Sequence, residues 1–544
     1  MNKIIGLTLF SAAALVGCTS TTTSGSSSDV DFENSYRSIN QEQLIKHVKV
    51  LASDEFGGRA PSSEGERLTL AYLTEQFKAI GFEPGNGDSF LQQVPLVSIE
   101  ASTDMTLTIG NKDYQYGTDM VLGSSRISKF EQLDNSQLVF VGYGIDAPEY
   151  NWNDYQGLDV KGKTVVILVN DPGFATQDPE LFTGNAMTYY GRWTYKYEEA
   201  SRQGAQGAII IHETAPASYG WEVVANSWSG PQFGFQREDL NKDRVAVEGW
   251  ITSEVAQALF AQAGLDFATM KKRAAQGSFN AEMGDLTATV KVNNTIKKSV
   301  SNNFIATLPG RTHSDEHILY TAHWDHLGTD LTKQGDTIYN GARDNATGTA
   351  ALIEVAEAFA KLKQRPERSI TFMAVTAEEQ GLLGSQFYAA NPVIPAGKTV
   401  ANINMDALNV NGRSKDVAVY GLGQSQLDDF LAQAVLKQDR TISGDPSPAS
   451  GIYYRSDHFS FANIGIPALY AKGGKQPADA KTAALRKILD PILKKCYHGL
   501  CDQYSDDWDL SGAVQDMQLF FDVGHALAKP DVWPQWSKTS EFKR

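Results

Sequence analysis

The stretch Ile318-Leu-Tyr-Thr-Ala-His323-Trp-Asp325-His326 decides how the rest of the chain is read. Its apolar run, Ile318 to Ala322, predicts a short buried strand that ends in His323 and Asp325. Further on, Gly341-Ala-Arg-Asp344-Asn-Ala-Thr-Gly348 reads as a loop that opens a helix. A second apolar strand, Ile370 to Thr376, runs into Glu378-Glu379, and a third, Val400 to Met405, runs into Asp406. Each of these strands delivers a histidine or a carboxylate just past its C-terminal end, which is where open α/β sheets place their sites. Between them, Gly348 to Leu362 carries Leu352, Val355, Ala356 and Phe359 on one helical face, and Pro366 ends the pattern. The alternation predicts an α/β fold, a mostly parallel sheet flanked by helices on both faces.

The residue types point to a metal. Histidine, aspartate and glutamate supply the nitrogen and oxygen ligands that zinc accepts. Several carboxylates at one sheet edge repel one another unless cations neutralise them, and more acids than one ion needs point to two. Adjacent Glu378 and Glu379 allow one to bind metal while the other faces an attacking water. Strand-to-helix loops are polar and often acidic, so no single residue carries this reading. The convergence of four loops carries it.

Taken together, His323-x-Asp325, Asp344-Asn-Ala-x-Gly348, Glu378-Glu379-x-Gly-x-x-Gly-Ser and Asn404-Met-Asp406 resemble the co-catalytic zinc aminopeptidases of the bacterial leucyl aminopeptidase type. That superfamily also holds glutamate carboxypeptidase II and glutaminyl cyclase. The resemblance covers residues 300 to 530 and a lead-in at 40 to 100. It implies two zinc ions per chain, one held by His323, Asp344 and Asp406 and one by Asp344, Glu379 and a second histidine. By chemistry alone that histidine is His458 or His498. The resemblance selects His498, in the later Tyr-His motif, and leaves His458 nearby or on the substrate side. It also implies that Asp325 orients His323, that Glu378 is the general base, and that Tyr497 and Arg455 stabilise the oxyanion. Arg343 departs from the common pattern, in which an acidic or small residue precedes the bridging aspartate.

The function implied is a metal-dependent exopeptidase, most simply an aminopeptidase acting on peptides. Related alternatives are a carboxypeptidase, a dipeptidase or a glutaminyl cyclase. A non-catalytic receptor is a further alternative, but its signature is lost ligands, and none is lost here.

The 544 residues call for more than one domain, and a net charge of −16 argues against nucleic acid as a partner. Met1 to Gly17, with Lys3 before an apolar core, reads as a signal peptide. Leu15-Val-Gly-Cys18 resembles a lipobox, which implies lipidation at Cys18 and a membrane anchor. Thr19 lacks the aspartate of inner-membrane retention, so the expected location is the outer membrane of an exported lipoprotein. Residues 18–35 are expected to be a flexible Ser/Thr-rich tether. Cys496 and Cys501 flank His498, and the exported compartment makes a disulfide between them expected.

The remaining divisions are 36–129 for the N-terminal part of the peptidase domain, 130–285 for an insertion, and 286–544 for the catalytic domain. Short apolar strands in the insertion resemble a protease-associated domain, a small β-rich module. Leu286 to Val292 and Asn303 to Leu308 are expected to return the chain to the main sheet. Arg59 and His212 read as structural residues.

Overall fold

The computed structural model describes residues 27–277, 281–538 and 540–543. The signal peptide, Cys18 and the start of the tether lie outside the described residues. The tether expected over 18–35 ends sooner than that, because Ser27–Ser38 is a helix. Phe32 and Tyr36, four residues apart on one helical face, pack against the core, and the Phe32 ring stacks on Phe521 at 5.4 Å.

The main sheet is built from β1 (Leu91–Ala101), β2 (Ala281–Leu308), β3 (His313–His323), β4 (Arg368–Val375), β5 (Thr399–Asn404), β6 (Asp416–Tyr420), β7 (Thr441–Gly444) and β8 (Ala468–Gly473). Their order in space is β1-β2-β4-β3-β5-β8-β6-β7. The central strands β4, β3, β5 and β8 are parallel, and antiparallel pairs flank them. Every residue of β4 and β5 is buried, as is the end of β3 from Ile318. Helices cover both faces of such strands, so they read as continuous apolar runs rather than alternating ones.

One face carries the larger core, in which Phe77, Phe304, Tyr320 and Phe372 meet helix residues Phe359 and Phe521. On the other face Ile305, Leu319 and Met373 meet Tyr388 and Phe461. The helix Thr347–Ala360 is buried almost all round, which sets its N-terminal loop firmly over the strand ends.

Between β1 and β2 the chain builds a second body with its own cores. It begins at Thr106 rather than at 130. The hairpin Thr106–Ile109 with Lys112–Gln115 pairs with residues 288–289, so it belongs to this body. The body is not simply β-rich. Strands Phe130–Phe140, Thr164–Leu168, Gly207–Ile211 and Val247–Ile251 run parallel, and helices such as Trp193–Arg202 and Ser253–Gln262 pack on them.

The return to the main sheet also differs from expectation. Leu286 to Val292 and Asn303 to Leu308 are two parts of the single 28-residue strand β2. As far as Asn293 it pairs with Phe130–Phe140 in the second body, and from Asn294 it pairs with β1 in the main sheet. The alternating polar stretch between the two apolar segments hides this continuity in the sequence.

Candidate metal centre

Four segments meet at the C-terminal ends of the parallel strands. β3 ends at His323, whose Nε2 faces three carboxylates: Asp344 Oδ1 at 3.2 Å, Asp406 Oδ1 at 3.7 Å and Glu378 Oε2 at 3.9 Å. His498 Nε2 faces the other oxygen of Asp344, Oδ2, at 3.4 Å, and Glu379 Oε2 at 2.9 Å. Asp344 therefore presents one oxygen to each imidazole. His323, Asp344 and Asp406 form one cluster able to hold a metal ion.

Local interactions explain why the ligand types sit where they do. The Asp344 loop hangs on Asp502, whose two oxygens accept the Arg343 and Asp344 amides at 3.0 Å. The Asp344–Asn345 peptide bond is cis. The Asn345 side chain then ties this loop to the end of β5. Its Oδ1 accepts the Gly348 and Ala407 amides, and its Nδ2 donates to the Met405 carbonyl at 3.0 Å. A Cβ at Gly348 would sit 2.3 Å from Asn345 Oδ1 and 2.4 Å from the Met405 carbonyl, so only glycine fits. Asp406 Oδ2 accepts the Ser456 hydroxyl at 2.6 Å, leaving Oδ1 toward His323.

Asp325 lies beside His323 but not as expected. Its backbone carbonyl is 3.1 Å from His323 Nδ1, while its carboxylate is 3.9 Å away and instead accepts the Glu378 amide at 3.1 Å. It thus braces the segment that carries Glu378 as well as the His323 ring. The Glu378 carboxylate itself takes no hydrogen bond among the described residues.

His498 sits at a left-handed φ of 55°, just after the helix Ala480–Cys496. A Cys496–Cys501 disulfide encloses it. The Tyr497 ring stacks on it at 3.9 Å, is about half exposed, and leaves its hydroxyl without a partner among the described residues. Arg455 is exposed next to Ser456 and forms no ion pair among the described residues. His458 is elsewhere. It is fully buried between the rings of Tyr453 and Tyr470, at 4.6 and 4.8 Å, and burial lowers it to about 3.

Sequence reasoning missed His326. It is buried, and its Nδ1 lies 2.5 Å from Glu379 Oε1, so Glu379 has an imidazole on each oxygen. Its place at the end of the opening stretch was the available signal. Asp502 and Ser456 were missed too, and they carried no local signal.

The electrostatics call for cations. Asp325, Asp344, Glu378, Glu379 and Asp406 have side chains no more than 14 % exposed. Burial and the neighbouring Asp457, Glu379 and Asp406 push Glu378 well above the usual carboxylate range. Burial also raises Asp325 to about 7. Against burial, the carboxylates Glu378, Asp344 and Asp406 raise His323 far above an ordinary histidine. Buried charges on this scale cost several kcal/mol each unless paired. A set of imidazole nitrogens and carboxylate oxygens fits zinc.

The second body reaches this site. The Met187 amide donates to the Pro448 carbonyl at 3.1 Å, and the Tyr189 ring packs on Phe459 at 5.0 Å. Glu541 clasps the contact, accepting the Tyr189 amide and the Tyr454 hydroxyl.

Comparison with known proteins agrees with this geometry. Residues 303–521 match the model of peptidase family M28. Leupeptin-inactivating enzyme 1 of Streptomyces exfoliatus is 28 % identical over 180 residues, 31 % of this chain and 39 % of that protein. Aminopeptidase Y of Saccharomyces cerevisiae is 28 % identical over 181 residues, 31 % of this chain and 30 % of that protein. The chain thus spans well under half the length of these relatives. The structure of an aminopeptidase from Aneurinibacillus sp. strain AM-1 shares the fold, with a TM-score of 0.50 at 20 % identity, covering 93 % of this chain and 99 % of that one. The match to the model of peptidase family M28 spans residues 303–521, the part of the chain that carries every one of these metal-facing side chains.

Proposed function

We propose that the chain is a dinuclear zinc aminopeptidase that releases N-terminal residues from peptides. One observation carries the proposal: Asp344 divides its two oxygens between His323 and His498, as a bridging carboxylate must. One ion would be held by His323, Asp344 and Asp406, and a second by Asp344, Glu379 and His498. Zinc in such a site polarises a carbonyl and acidifies water. Glu378, the one acid of the cluster that no donor fixes, takes the proton of the attacking water and returns it to the departing amine. Tyr497, stacked on His498, and Arg455, which precedes the Asp406 partner Ser456, are assigned to donate hydrogen bonds to the oxyanion. His326 holds the oxygen of Glu379 that His498 does not face.

The aminopeptidase relative from yeast supports action at the N-terminus. The second body shapes selectivity through its contact with the 448–459 segment. Export and anchoring through a lipid on Cys18, with the enzyme on the outer membrane, complete the proposal, and the Cys496–Cys501 disulfide supports an oxidising compartment.

The test is hydrolysis of amino-acid p-nitroanilides, free and N-acetylated, with metal analysis before and after chelation. Cleavage of free-amine substrates alone, lost on chelation and restored by zinc with two ions bound per chain, is the expected result. Cleavage of acetylated substrates, or one ion at full activity, overturns it.

A further inference from the structure

The outer side of the helix Ala480–Cys496 is chemically unlike the rest of the molecule. The chain as a whole carries a net charge of −16. On this helix Lys481, Lys487, Lys494 and Lys495 are all exposed. At a 3.6-residue period Lys487, Lys494 and Lys495 lie on the side opposite the buried Thr482, Leu489 and Cys496, and Lys481 lies on the flank between them. Ile488 and Ile492, which are 64 % and 50 % exposed, lie on the same flank as Lys481.

A neighbouring segment extends the patch. The Lys415 amide donates to the Gln476 carbonyl at 2.9 Å, and the Ala478 amide donates to the Arg413 carbonyl at 3.0 Å. These bonds bring the exposed Arg413, Lys415 and Lys475 alongside the start of the helix. None of these seven cations has an ion-pair partner within 4.0 Å among the described residues. Two exposed acids, Asp479 at the helix N-terminus and Asp490 within it, keep their charge while bonded to the Thr482 amide and to Asn411, and are outnumbered by these seven cations.

We propose that this face docks on an anionic lipid surface, with the lysines on phosphate headgroups and Ile488 and Ile492 entering the headgroup boundary. Charge complementarity selects the partner, since an acidic protein is repelled by an anionic membrane everywhere except at such a patch. The isoleucines select lipid over a soluble polyanion, because only a bilayer offers apolar volume beneath the phosphates. The attachment is interfacial, and no helix among the described residues is long and apolar enough to cross a membrane. The helix runs directly into Tyr497 and His498, so docking holds the metal centre close to the lipid surface.

The experiment is co-sedimentation of the full chain carrying Cys18→Ser, so that no acyl chain contributes, with vesicles of phosphatidylcholine with or without phosphatidylglycerol. Binding to the anionic vesicles only, weakened by salt, is expected. Each lysine neutralised near the surface lowers partitioning about five-fold, so Lys487→Gln, Lys494→Gln and Lys495→Gln together lower it about a hundred-fold. Ile488→Ser with Ile492→Ser lowers it while leaving the salt dependence in place. Melting temperatures close to the parent establish that the variants fold. The proposal is overturned if the parent ignores anionic vesicles or the lysine variant binds them unchanged. It is equally overturned if polyphosphate is bound as tightly as vesicles and the isoleucine variant behaves like the parent.

Discussion

Replacing Arg59 by methionine is the most informative single change, because Arg59 touches no ligand yet supports two ligand-bearing segments. Its side chain is fully buried and reaches four backbone carbonyls. Nη1 donates to Leu51 at 2.6 Å and Asn340 at 2.7 Å, Nη2 to Gly341 at 2.9 Å, and Nε to Trp324 at 2.9 Å. Trp324 lies between His323 and Asp325, and Gly341 begins the loop of Asp344. Burial lowers Arg59 to about 10, still cationic at neutral pH, with Asp502, Asp325 and Asp344 opposing the shift.

Methionine keeps most of the apolar stem and removes every donor. Each buried carbonyl left unpaired costs about 1–3 kcal/mol. Local relaxation recovers part of this, so the expected loss is about 4 kcal/mol, the scale for breaking a buried charged network. That is a large share of a typical stability of about 5–15 kcal/mol. Lysine restores the charge but not the planar fork, and should recover only part of the loss. The assays are thermal melting and calorimetric zinc titration, and zinc affinity should fall about 10- to 100-fold as both segments loosen. If Arg59→Met melts with the parent and binds zinc equally well, the support role assigned here is wrong.

Other outcomes follow from the same structure. Glu378→Gln should lower kcat about 10²- to 10⁴-fold while leaving bound zinc unchanged by metal analysis, if the side chain moves a proton without holding an ion as proposed. His326→Ala frees one oxygen of Glu379 and should weaken the ion proposed at Glu379 and His498 about 10- to 100-fold in a zinc titration, with His326→Gln recovering part of it. His458 is held at about 3 in the folded chain, against 6.5 when exposed. The unfolded chain therefore binds the extra proton, and stability falls as pH drops from 6.5 toward 3, by an amount on the order of 4 kcal/mol at the acid end. His458→Phe should flatten that slope in urea melts read across the pH range, and an unchanged slope would remove His458 as its source.

The site was far more legible in the sequence than the domain plan. His323, Asp344, Glu378, Glu379 and Asp406 each follow an apolar strand or open a buried helix, so local pattern and residue type mark them together. Choosing His498 over His458 needed the family resemblance, because neither Asp457-His458-Phe459 nor Tyr497-His498-Gly499 shows by itself whether its imidazole faces a carboxylate or an aromatic pair. Asp502 and Ser456 were invisible, since they act on residues 158 and 50 positions away. The second body was misplaced by more than twenty residues at its start. The hairpin at 106–115 is assigned by its partner near 288, and strand pairing over that distance leaves no trace in local periodicity.

The 28-residue strand that belongs to both sheets also limits how the molecule moves. A module joined by loops can swing aside to admit a substrate. Here the crossing point is a hydrogen-bonded beam, doubled by β1 alongside it and braced by Gln232–Phe235 on the outer edge. Glu541 fastens the far end to the catalytic half. Such a cantilever transmits load rather than hinging, so the contact of the second body with residues 448–459 is held stiffly beside the candidate metal centre. For the aminopeptidase proposed above, discrimination among peptides would then rest on the shape of that contact rather than on a swinging module.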